Sequence, residues 1–221
     1  MPKPDPRYSL IVFDWDGTLM DSAGLIARCI QSAAADLGLP VPDEATALHV
    51  IGLGLRDALA LAVPQLEVAD YPRMSERYRY HFLAGDTKAP LFAGTEGMLR
   101  ELAGAGHVLA IATGKSHAGL ERALAATGVG SLFAATRCAD RTAPKPAPDM
   151  LLELMDEFAI PRESVLMIGD TTHDLQMAAN AGVASLAVSY GAHPLHELTA
   201  AGPLATVHST RELHDWLMRN G

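Results

Sequence analysis

The sequence predicts an α/β protein: a doubly wound parallel sheet with a helical domain inserted directly after its first strand. Three observations carry that reading. Short apolar runs rich in Val and Ile recur along the chain, helical periodicities lie between them, and one long stretch near the start breaks the alternation. Strands buried on both faces read as continuous apolar runs, and regular strand–helix alternation calls for parallel neighbours joined by crossovers.

The first strand is Leu10-Ile11-Val12-Phe13, which runs straight into Asp14. From Ser22 to about Pro90 no strand-like run occurs. Helical stripes take over, such as Ile26, Cys29, Ile30, Ala33 and Leu37, stopped by Gly38. Residues 22–90 are therefore read as a helical cap, and residues 1–21 with 91–221 as one catalytic core. In the core a second strand, Val108 to Ile111, precedes a helix with Leu120, Ala123, Leu124 and Thr127 on one face, closed by Gly128. A helix opened by Pro148 carries Leu151, Leu154, Met155 and Phe158. It leads to a third strand, Val165 to Ile168, and a weaker one, Val183 to Val188.

The formal net charge is -9 and aromatic residues make up 5 % of the chain. That is the wrong sign for neutralising nucleic-acid phosphates or an anionic membrane surface, and it leaves few platforms for base stacking. An acidic protein that handles phosphate needs a local cation, which points to a metal held by carboxylates. Cys29 and Cys138 stand far apart without ligand-like neighbours, so neither a disulfide framework nor a zinc site is expected. The first apolar run is too short for a signal peptide or a membrane span of ~20 residues, and a soluble, cytoplasmic protein is expected.

The densest chemical signal is Asp14-Trp15-Asp16-Gly17-Thr18, at the end of the first strand. Gly17 permits a tight turn that aims both carboxylates at one cavity, although an isolated D-x-D-G run is also an ordinary solvated turn. Two further strands end the same way, in Thr113-Gly114-Lys115-Ser116 and in Gly169-Asp170-Thr171-Thr172-His173-Asp174. Parallel strands send their carboxyl ends to one edge of the sheet, so Asp14, Thr113 and Asp170 converge. Lys145, in Pro144-Lys145-Pro146-Ala147-Pro148-Asp149, precedes a core helix and can join them.

With these motifs in this order, the chain resembles the haloacid dehalogenase-like hydrolases, in particular their phosphoglycolate phosphatase-like branch, over essentially its whole length. The resemblance implies a Rossmann-like core and Asp14 as a nucleophile that forms an aspartyl phosphate. It implies Asp16 as the acid/base that protonates the leaving alkoxide and later activates water. Asp14, Asp170 and the backbone carbonyl of Asp16 would hold Mg²⁺. Thr113 and the Gly114 N–H would bind the phosphoryl oxygens, with Lys145 facing the charge that develops there. Asp174 would orient Lys145 or a metal-bound water, or simply place a charge at a helix N-terminus. The implied substrate is a small phosphorylated metabolite, turned over by a monomer or a homodimer.

Competing motifs fail on spacing or on missing residues. Gly114-Lys115-Ser116 lacks the upstream glycine of a P-loop, because Leu109 stands there, and Lys115 reads as an exposed helix-start residue. Gly52-Leu53-Gly54 follows no strand, and Asp57 occupies the place of a third glycine. His193 and His196 have no ligand cluster in the sequence and read as surface residues, and His173 as a first-turn helix residue. Trp15 also suits phosphonoacetaldehyde hydrolases, but residues 22–87 contain no lysine for a Schiff base. Asp16 argues against dehalogenation, which protonates no alkoxide. A β-phosphoglucomutase-like phosphomutase or a pyrophosphatase on the same core remains an alternative. A receiver-like signalling module is disfavoured by the large insertion. In the cap, Arg56 is the candidate grip for a substrate carboxylate or second phosphate.

Overall fold

The computed structural model describes residues 7–85 and 89–221. Residues 1–6 and 86–88, which belong to the expected core and cap segments, lie outside the described residues. Six strands, β1 (Leu10–Phe13), β2 (Val108–Thr113), β3 (Ala135–Cys138), β4 (Val165–Gly169), β5 (Ala184–Val188) and β6 (Thr206–Val207), form one sheet. Their order is β3-β2-β1-β4-β5-β6 and every neighbouring pair is parallel.

The pleat sorts the apolar runs onto two faces. Ile11, Phe13, Leu109, Ile111, Leu166 and Ile168 pack with residues of α5 (Thr95–Ala105), α6 (His117–Thr127) and α10 (Thr210–Asn220). Their alternates Leu10, Val12, Ala110, Ala112, Val165 and Met167 pack with α7 (Asp149–Phe158) and α8 (Thr172–Ala181). Burial of each large aliphatic side chain contributes about 1.5–3 kcal/mol, so continuous apolar strands hold the middle of the sheet in register. The short helix α9 (Leu195–Ala200) follows β5.

Neither β3 nor β6 shows in the apolar pattern of the sequence. In β3 only Cys138 is fully buried, and Arg137 pairs with Glu153 and Glu157 at 2.6 Å each. An edge strand with a solvated, charged face carries no continuous apolar run to find. β6 has just two residues.

Between β1 and α5 lie α1 (Ala23–Asp36), α2 (Glu44–His49), α3 (Leu55–Ala62) and α4 (Tyr71–Gly85). Ile26, Cys29, Ile30 and Ala33 of α1 form the buried stripe their spacing predicts, and they share an apolar cluster with Leu59, Met74 and Phe82. The chain leaves the sheet and returns to it along two adjacent segments. Asp21 N–H donates to the Pro90 carbonyl at 2.9 Å, and Phe92 N–H donates to the Leu19 carbonyl at 3.0 Å. Among the described residues no helix is long and apolar enough to cross a membrane.

Candidate active site

Asp14 follows β1, Thr113 ends β2 and Asp170 follows β4, so all three lie at the carboxyl edge of the sheet. The crossover direction reverses between β1 and β4, which is where an open α/β sheet forms its crevice. There the Lys145 ammonium donates to Asp14 Oδ1 at 2.5 Å and stands 2.6 Å from Asp174 Oδ1. Asp14, Thr113, Lys145, Asp170 and Asp174 are all buried. Carboxylate oxygens of Asp14, Asp170 and Asp174 lie within 4.8 Å of one another.

Three buried carboxylates around one ammonium leave an excess of negative charge. Burial therefore pushes Asp14 well above the ordinary carboxylate range, although Lys145 pulls it back. Burial and then Asp174 raise Asp170 to about 7, against hydrogen bonds from Ala192 and Thr18. For Lys145 burial opposes the charge, but Asp14 and Asp174 outweigh it and hold the ammonium above the usual lysine range. Among the described residues nothing hydrogen-bonds to the buried Asp14 Oδ2. An orphaned carboxylate oxygen within an all-oxygen, over-anionic cluster matches what a hard divalent cation binds, so the residues present fit such an ion.

Asp170 is fixed from two sides. Thr18 Oγ1 donates to its Oδ1 and Ala192 N–H to its Oδ2, each at 2.7 Å. Gly17 allows this approach: it has φ +88°, and a Cβ there would stand 2.2 Å from Asp170 Oδ2. Asp174 stands between the start of α8 and Lys145. Its Oδ2 accepts from the Thr171 N–H and hydroxyl, completing a capping box at the start of α8, while Oδ1 faces Lys145.

Asp16 sits at the mouth of the cluster. Ser22 Oγ donates to its Oδ1 at 2.7 Å, and Lys115 Nζ donates to Oδ1 and Oδ2 at 3.0 and 3.1 Å. Lys115 is thus not the exposed helix-start residue its sequence context suggests. Its side chain is 8 % exposed, and its ammonium lies 4.5 Å from the centre of the Phe82 ring on α4. The available signal was its place two residues past Thr113, at the reactive edge of the sheet. His193 also departs from expectation. It is buried, accepts at Nδ1 from the Thr172 N–H, and so donates from Nε2 to the His49 carbonyl, with desolvation pushing it down to about 4. His173, in the first turn of α8, contacts the same carbonyl at 3.0 Å, and His196 is exposed as expected.

The loop before α3 lies directly over the core. A Cβ on Gly114 would stand 2.3 Å from the Leu53 carbonyl oxygen and 2.5 Å from that of Gly52, so these backbones touch where any side chain would intrude. Below the loop is a cavity of about 710 Å³ lined by Asp14, Asp16, Thr113, Gly114 and Lys115 and by residues of α1, α3 and α4. Arg56 lines this cavity too, with its guanidinium 5.7 Å from the centre of the Tyr71 ring. The structure thus gathers Asp14, Asp16, Thr113, Gly114, Lys145, Asp170 and Asp174 at one edge of the sheet and places Arg56 in the lining of the adjoining cavity.

Residues 11–188 match the model of a family described as haloacid dehalogenase-like hydrolase. The chain is 35 % identical over 209 residues to a Dickeya dadantii protein named "Probable phosphatase IndB", covering 92 % of this chain and 91 % of that one. It is 33 % identical over 224 residues to a Pseudomonas aeruginosa 5'-nucleotidase, covering 94 % and 97 %. It is 31 % identical over 193 residues to a Vibrio cholerae phosphoglycolate phosphatase, covering 82 % and 84 %.

Proposed function

The chain belongs to the haloacid dehalogenase-like hydrolases and has phosphatases among its relatives, and on that premise we propose that it is a Mg²⁺-dependent phosphomonoesterase working through an aspartyl phosphate on Asp14. The observation that supports this reading best is the buried cluster of Asp14, Asp170, Asp174 and Lys145 with one Asp14 oxygen left unpartnered.

In this reading Asp14 attacks phosphorus while Thr113 and the Gly114 N–H hold the phosphoryl oxygens. Lys145, itself held by Asp174, keeps a positive charge beside the attacked group. Asp16 gives a proton to the departing alkoxide and then takes one from the water that opens the acyl phosphate. Lys115 and Ser22 position Asp16 for both steps. Asp14, Asp170 and the Asp16 carbonyl would hold Mg²⁺, which supplies the charge that lets an anionic nucleophile meet an anionic ester. Residues 22–90 act as a cap over the site, and Arg56 grips a polar group of the substrate.

The test is turnover of p-nitrophenyl phosphate by the purified protein. Activity is expected with Mg²⁺, loss with excess chelator, and recovery when Mg²⁺ is returned. Equal activity in chelator would sink the metal assignment, and none under any condition would sink the enzyme.

Gly114→Ala tests the seating of the loop. The added methyl is expected to force the 52–54 backbone away, lowering kcat/KM by roughly 10²-fold, the scale of an ångström-sized misplacement, and lowering the melting temperature as well. Wild-type activity in this variant would show that catalysis does not need that contact.

A further inference from the structure

We propose that the site takes a primary alkyl phosphomonoester whose organic part carries an aromatic ring, in the size range of a nucleoside or a substituted pyridine, rather than a two-carbon acid. The proposal rests on the phosphomonoesterase reading above and concerns only what lies beyond the phosphoryl group. The relatives do not decide the matter, because the organic groups named for them differ as widely as a nucleoside and glycolate.

Size is the first argument. The cavity of about 710 Å³ falls well inside the range of roughly 300–1,000 Å³ that encloses drug-sized ligands. With its phosphate at Asp14, a two-carbon acid would fill only the floor of this space and leave the wall formed by α1, α3 and α4 untouched. A ring-bearing ester spans it.

The chemistry of that wall is the second. Its apolar part is built from Ile26, Ile30, Val50, Leu55 and Phe82, and the Phe82 ring stacks on Tyr78 at 5.8 Å between centres and 22° between planes. Lys115, which also lines the cavity, is already held by Asp16. A glycolate carboxylate placed against these apolar side chains loses its water, which is costly. An aromatic ring gains there. Arg79 and Arg122, which also line the cavity, suit a flat ring equally well, since guanidinium planes stack on aromatic faces.

The experiment compares kcat/KM with Mg²⁺ for phosphoglycolate, glucose 6-phosphate, uridine 5'-monophosphate and pyridoxal 5'-phosphate. All four release a primary alkoxide, so the demand on Asp16 is matched and only the organic group differs. Burying one aromatic ring is expected to favour uridine 5'-monophosphate or pyridoxal 5'-phosphate over both others by roughly 10²-fold. Which of the two leads separates a nucleobase from a pyridine. Leu55→Trp, which narrows the cavity from its partly exposed wall, is expected to pull that ratio toward one. Phosphoglycolate or glucose 6-phosphate turned over within tenfold of the better aromatic ester would overturn the proposal, and so would a ratio that ignores Leu55→Trp. If none of the four reacts while p-nitrophenyl phosphate does, the proposal fails and the phosphatase reading stands. If that ester is inert as well, both fail.

Discussion

Asp14→Asn is expected to lower phosphatase turnover by roughly 10⁵-fold or more, the order seen when a covalent nucleophile is removed, while leaving the protein folded. The amide is a poor nucleophile toward phosphorus and a weaker ligand for a hard cation, so two contributions vanish together. Folding should survive because Lys145 keeps its contact with Asp174. The direction of the stability change also follows from the site. Burial holds the Asp14 carboxyl well above its ordinary range, so ionising it opposes folding, and from this group stability falls as pH rises from the unfolded carboxylate range toward the folded value. The Asn variant lacks that loss. In metal-free buffer at neutral pH it is expected to melt no lower than wild type, as read by calorimetry. Retained turnover would place the nucleophile elsewhere, and a lower melting temperature would show that Asp14 supports the fold more than it strains it.

Asp16→Asn is expected to separate the two half-reactions. With p-nitrophenyl phosphate the phenolate departs without needing a proton, so phosphorylation of Asp14 stays fast. Hydrolysis of the acyl phosphate loses its base and slows by roughly 10²–10⁴-fold. Stopped-flow should then record a burst of nitrophenolate close to one per enzyme, followed by a slow steady state, with little or no burst in wild type. Loss of activity without a burst would assign Asp16 to phosphorylation or to site geometry. Its grip by Ser22 and Lys115 makes the substitution local, since the amide oxygen still accepts from Ser22.

The sheet and most of the site were legible because the same residues report both. A strand buried on two faces must be apolar throughout, so the polar residue ending such a run marks the carboxyl edge, and Asp14, Thr113 and Asp170 mark it three times. What stayed hidden depends on contacts across long sequence separations. Lys115 meets Asp16 from 99 residues away, and a lone lysine at a helix start is ordinarily solvated, so its place two residues past Thr113 is the one local signal it carries. His193 is drawn inward by the loop after β5, where its N–H reaches the Asp170 carbonyl at 3.3 Å and its ring reaches α2. β3 was hidden because its outer edge and half-buried faces suit Thr136 and Arg137 as well as any aliphatic residue.

The paired segments at Asp21 and Pro90 make the intervening helices a module with touching ends. Because its entry and exit are already hydrogen-bonded to each other, a short turn could replace the whole excursion without moving β1 or α5. Recombination at these two points can therefore exchange one set of helices for another of different length. On the proposed reading, exchanging this one contiguous stretch would change the helices lining the cavity while leaving the sheet edge in place.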